Sequence, residues 1–104
     1  MFPKHSRYVT RGVIETIGPD IQSALWSIID RDLNEGKEMD YLQVFSLSIV
    51  HAGGQVYQRI RHRQEKPERK RTYDLSGIRE PVSGVTVWII DSGTYCTMLL
   101  PEEY

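Results

Sequence analysis

Apolar and polar positions are ordered most sharply between Val85 and Leu100, VTVWIIDSGTYCTMLL. Val85–Ile90 is β-branched and aromatic, and Thr94–Leu100 is mostly apolar. Asp91-Ser92-Gly93 between them predicts a tight turn, because glycine tolerates the positive φ that hairpin turns need. With Ser92 and Gly93 as the two loop residues, Asp91 faces Thr94, Ile89 faces Cys96, Val87 faces Met98 and Val85 faces Leu100. The last three pairs form one fully apolar face. The other face pairs Ile90 with Tyr95, Trp88 with Thr97 and Thr86 with Leu99, and is mixed. A slip of one residue would turn a strand's side chains to the wrong face. The hairpin is therefore expected to supply much of the core.

The same pattern predicts the other elements. Arg7–Ile14 (RYVTRGVI) reads as a short first strand, with Gly12 weakening it or marking a bulge. Gly18-Pro19 opens a helix, since proline loses nothing at the first helical position. Ile21, Ala24, Leu25, Ile28 and Ile29 recur at helical spacing and form one stripe, with Trp26 and Leu33 at its edge. Asn34-Glu35-Gly36 supplies the stop. This helix is expected to lie across the apolar hairpin face, each buried Leu or Ile contributing about 1.5–3 kcal/mol.

Tyr41–Val50 reads as a strand, His51–Gly54 as a turn, and Gln55–Gln64 as the returning partner. Alternation puts Val56, Ile60 and His62 on one face and Tyr57, Arg59, Arg61 and Arg63 on the other. Pro67 breaks a polar connection, and Arg71–Leu75 forms a short strand. The tail Pro101–Tyr104 is acidic and expected to be exposed. Strands in series with one early helix predict an α+β domain spanning residues 1–104. Its sheet is expected to be mostly antiparallel, of about five or six strands, with a single main helix on one face.

Composition adds three constraints. One cysteine, Cys96, excludes an internal disulfide framework and suits a reducing cytosol. No apolar run reaches the roughly 18 residues of a membrane helix, and Met1–Gly12 lacks a signal-peptide core, so a cytoplasmic protein is expected. The net charge of −1 is unevenly spread. Arg59–Arg71 holds seven basic and two acidic residues, a local +5, which leaves −6 for the rest of the chain. Such asymmetry can mark a binding face.

Several phrases carry a resemblance: RYVTRGV (Arg7–Val13), LWSIID (Leu25–Asp30), DYLQVFSLS (Asp40–Ser48), HRQEKPERKRTY (His62–Tyr73) and IIDSG with TMLLPEEY in Ile89–Tyr104. In motif, order and length they are similar to the small family filed as domain of unknown function 960. That family occurs in Firmicutes bacteria and in their phages and mobile elements. The chain departs from the family pattern at Asp91-Ser92-Gly93, which lacks a second acidic residue before the glycine, and in its more basic Arg59–Arg63. The resemblance implies a bacterial or phage context and supplies no catalytic residues.

Two surfaces are candidates for binding. Arg59, Arg61 and Arg63 stand in a row about 6.6 Å apart, with Tyr57 at one end and Lys70 and Arg71 able to extend it past Pro67. Arginines and an aromatic on a sheet can hold single-stranded nucleic acid. The plainer reading is a solvated face whose charges prevent edge aggregation. A protein or other acidic partner ranks ahead of nucleic acid, because one aromatic is interleaved and the whole chain is not basic. The second surface is Trp88, Ile90, Tyr95 and Leu99. Left uncovered, these would form an apolar interface patch that a partner or a second copy can bury; covered, they are a second core layer.

Catalytic chemistry finds little support. His62 with Glu65 can be written as a base and its orienting acid, but His62 shares the face of Val56 and Ile60 and reads better as a partly buried, hydrogen-bonded histidine. Asp91 is an ordinary turn former. His5, His51, His62 and Cys96 lack metal-ligand spacing, and no phosphate-binding glycine loop or nucleophile elbow is present, so no metal, cofactor or catalytic residue is assigned.

These readings converge on a small cytoplasmic, non-enzymatic interaction module. A nucleic-acid or nucleotide binder using Arg59, Arg61 and Arg63 is the alternative, and a small hydrolase using His62 is a distant third. The context that the resemblance implies suggests one concrete form, an inhibitor of a host defence or replication protein, which no residue specifies.

Overall fold

Two stretches of different period decide the architecture. Apolar residues at 3.6-residue spacing make one long helix, and alternating residues make strands that turn half of their side chains toward it. The computed structural model describes residues Met1–Tyr104. In chain order the elements are β1 (Arg7–Val9), α1 (Arg11–Thr16), α2 (Pro19–Asn34), β2 (Leu42–Ala52), β3 (Gln55–Gln64), β4 (Arg69–Leu75), β5 (Val85–Asp91) and β6 (Cys96–Leu99). A 3-10 turn over Pro101–Glu103 closes the chain. No helix is long and apolar enough to cross a membrane.

The strands form one six-stranded sheet in the order β1-β6-β5-β2-β3-β4. The sheet is mixed, not mostly antiparallel: β1 runs parallel to β6, and the other neighbours are antiparallel. The β2–β3 hairpin turns at Gly53-Gly54, where both residues have positive φ (56° and 76°), as a two-residue type I′ turn requires.

The final hairpin keeps the predicted faces but not the predicted register. Ile89 pairs with Met98 and Asp91 with Cys96, a shift of two residues, because the loop holds four residues, Ser92–Tyr95. The Ser92 amide donates to the Tyr95 carbonyl across it (2.8 Å). A two-residue shift preserves side-chain parity. Val87, Ile89, Cys96 and Met98 are accordingly all fully buried. Asp91 is not a free carboxylate at the tip: its Oδ1 accepts the amide of Phe2 (3.1 Å), which places the Phe2 ring in the core.

The first predicted strand is mostly a helix. Only Arg7–Val9 is extended, and Arg11–Thr16 forms α1. Six residues cannot sustain a helix alone. Thr10 caps α1, and the Glu103 carboxylate, from the far end of the chain, accepts from Thr10 Oγ1 (2.6 Å), the Gly12 amide (3.2 Å) and the Leu100 amide (2.8 Å). A Cβ on Gly12 would lie 2.6 Å from Glu103 Oε2, so glycine admits the carboxylate. The acidic tail is thus solvent-exposed, as predicted, yet docked.

Helix α2 follows the prediction closely. Ile21, Leu25 and Ile29 are fully buried and pack with Phe45, Leu47, Ile60, Val87, Ile89 and Met98. Val13 and Ile17, from α1 and the residue that caps its end, join the same core. Arg7 ties β1 to α2 through paired bonds to Asp30, with its guanidinium over the Trp26 ring (4.7 Å). Both helices therefore serve one face of the sheet.

Candidate interaction face

The other sheet face is built by strand parity. Cross-strand pairing gives rows that run across it. Lys70 pairs with Arg63, Arg63 with Val44, Val44 with Trp88, and Trp88 with Leu99. The next row runs Thr72, Arg61, Ser46, Thr86, and the next Asp74, Arg59, Ser48. On the opposite side Leu42, Ile90, Thr97 and Tyr8 line up. The only element against this face is the C-terminal turn, where Tyr104 stands edge-on to Trp88 (ring centroids 5.8 Å, 67°).

The two candidate surfaces are therefore halves of one surface, basic over β3–β4 and aromatic over β5–β6. Within the basic half the residues differ. Arg59 is held by Asp74 through two bonds (Nε–Oδ1 2.8 Å, Nη2–Oδ2 2.9 Å). This bidentate pair raises the arginine's pKa and lowers the aspartate's. Arg61 and Arg63 are exposed and make no ion pair, and Lys70 meets only exposed Glu68 (3.8 Å). Tyr57 is half-buried, paired with Val50 at the far end of β3. Arg71 does not extend the row. It pairs with His62, which places it on the helix-side face. Of the predicted six-residue patch, Arg61 and Arg63 remain as free cations, with Lys70 beside them in an exposed pair with Glu68.

In the aromatic half, Trp88 and Ile90 are partly exposed. Leu99 is 7% exposed and belongs to the floor rather than the patch. Tyr95 lies in the turn, not on the strand, and packs edge-on against Tyr8 (6.0 Å, 77°). Together Tyr95 and Tyr8 (45% and 59% exposed) make the outer rim of this half.

His62 occupies the opposite face and is 4% exposed. Its ring stacks flat on Phe45 (4.5 Å, 5°), and Nε2 donates to Gln43 Oε1 (2.6 Å). Gln43 Nε2 in turn donates to Asp40 O (2.7 Å) and Gln64 Oε1 (2.9 Å). The acid facing His62 is Asp32 of α2 (Nδ1–Oδ2 3.8 Å), not Glu65. Asp32 is fully buried and also faces Lys37 (3.4 Å) and Arg69 (3.6 Å). Burial pushes the His62 pKa down to about 4, against the opposing pull of Asp32. A neutral imidazole sealed under a helix, away from solvent, has no substrate to reach. That removes the geometric basis for a His62 hydrolase.

Residues 6–103 match the family model described as Staphylococcal protein of unknown function (DUF960). The chain belongs to this family. It is also similar to a protein of unknown function from Enterococcus faecalis, solved as a crystal structure, with 26% identity and a TM-score of 0.77 over 100% of this chain and 98% of that one. Among curated proteins none matches.

Two groups of site residues escaped the sequence reading. Tyr8 reached the open face because β1 pairs with β6, a contact between the two ends of the chain. Asp32 continues the apolar stripe, four residues after Ile28 and three after Ile29. A charged residue on that stripe was the available signal for a buried polar cluster.

Proposed function

We propose that the protein is a non-enzymatic interaction module that binds an acidic protein partner across the uncovered sheet face. The observation that carries this reading is the row Lys70–Arg63–Val44–Trp88–Leu99, which joins exposed cations to an aromatic anchor over a buried apolar floor. Trp and Arg are the residues that most often anchor interfaces. The surrounding chain is acidic, so the basic half orients an acidic partner rather than attracting anions everywhere. Pairing of Arg59 and displacement of Arg71 shorten the arginine row that a nucleic-acid strand would follow.

The test is a low-salt pull-down from a Firmicutes lysate, with and without nuclease, using the wild type, Trp88→Ala and the double variant Arg61→Glu/Arg63→Glu. A nuclease-resistant protein retained by the wild type and lost by both variants is the expected result. Recovered nucleic acid that disappears on nuclease treatment would replace the protein partner with a nucleic-acid one. Retention by all three baits would place binding elsewhere.

A further inference from the structure

The geometry points to a second binding site at the free edge of β4, where an extended acidic peptide adds as a seventh strand and inserts an apolar side chain between β4 and α2. β4 has one neighbour, β3, and its seven residues run without proline or bulge. The type I′ turn at Gly53-Gly54 is closed by the pair Ala52–Gln55, which is a hydrogen-bonded pair in such hairpins. Alternation from that pair directs the backbone groups of Gln58, Ile60 and His62 toward β4. The N–H and C=O groups of Lys70, Thr72 and Asp74 are then the ones that point outward, unpaired, at the edge.

A groove of about 240 Å³ runs beside this edge, lined by Ala24, Ser27, Ile28 and Arg31 of α2 and by Tyr73 and Leu75 of β4. Its walls are the helix-facing side chains of the edge strand and the flank of the helix. An added strand would turn every second side chain toward this groove. The polar end is marked by Arg31, whose guanidinium lies over the Tyr73 ring at 5.0 Å. The Tyr73 hydroxyl is buried beside that guanidinium. A carboxylate at that end would face Arg31.

Charge selects the occupant. Lys70 and Arg71 are exposed at the start of β4, while Arg69 is turned inward onto Gln64 Oε1 and Asp32; charges at an edge repel strands of like sign. A second copy fits poorly. Antiparallel pairing about Thr72 would set Lys70 against the copy's Asp74, already bound by Arg59, and would turn the copy's Arg69 and Arg71 toward the apolar groove. An acidic, apolar peptide meets both the cations and the groove. This site shares Lys70 with the uncovered sheet face but does not depend on Arg61, Arg63 or Trp88.

The experiment is selection of random 12-residue peptides displayed on phage against the full chain, followed by amide hydrogen exchange with the best synthetic peptide. The expected peptides alternate acidic and apolar residues, and binding slows exchange at Lys70, Thr72 and Asp74 at least tenfold. Thr72→Pro removes an outward N–H without removing a β3–β4 ladder bond, and Ser27→Trp fills the groove from an exposed position. Each should reduce affinity at least tenfold with an unchanged circular dichroism spectrum, while Arg61→Glu/Arg63→Glu should not alter the protection pattern. Failure to select peptides, peptides that protect other amides, or self-association through β4 at high concentration would overturn the proposal.

Discussion

Arg63 and Trp88 flank Val44 on the uncovered sheet face, each its direct cross-strand partner. At about 4.8 Å per strand the guanidinium-bearing and indole-bearing backbones are roughly 10 Å apart, with a nearly buried valine between them. One partner side chain pair can engage both. The cations beside them are not equivalent, since Asp74 already neutralises Arg59. We expect Arg59→Ala to leave partner recovery in pull-down close to wild type, and Arg63→Glu to abolish it.

His62 should make stability fall in mild acid. Its folded pKa of about 4 lies below the ordinary 6.5, so between these values the unfolded chain binds the extra proton and the native state does not. This contribution is complete above about pH 6.5 and is lost as pH falls toward 4. Its full size is on the order of 3 kcal/mol, at 1.36 kcal/mol per pKa unit. Urea unfolding between pH 7.5 and 4.5 should show the decline, and His62→Gln should flatten it.

Phe45 is the largest test of the core beneath that histidine. It is fully buried on β2 and stacks on the His62 ring. Phe45→Ala should cost about 3–5 kcal/mol in chemical denaturation, the usual range for a buried aromatic.

Glu103 should stabilise α1 only while ionised. Its pKa is lowered first by the hydrogen bond from Thr10 and then by the Leu100 amide. A depressed carboxyl pKa contributes stability above the ordinary carboxylate range, lost as pH falls through the folded value. Glu103→Gln should therefore melt below wild type at pH 7, and the two curves should converge in acid.

What the sequence made legible follows from local physics. The α2 stripe, the Gly53-Gly54 turn and the two faces of the last hairpin are each set by near neighbours. Parity survived even the error at Ser92–Tyr95, because a register shift of two keeps every side chain on its face. The misreadings of β1 and α1 depend on distant partners. α1 is held by Glu103, some ninety residues away, which overrides the strand character of Val13 and Ile14. The parallel β1–β6 pairing joins the chain's ends and carries Tyr8 to the open face. Arg71 moved to the helix side because β4 begins at Arg69 and pairs with β3 in a register that Pro67 does not encode.

The uncovered face is tested most directly by Trp88 itself. Only Trp26 and Trp88 are present, and Trp26 lies on α2 beneath Arg7. In a Trp26→Phe background the emission of Trp88 reports on that face alone. Titrating the partner recovered by pull-down into this variant should shift or quench the emission in a saturable manner, with the same midpoint as binding measured independently. Saturable binding that leaves Trp88 emission unchanged would contradict the account.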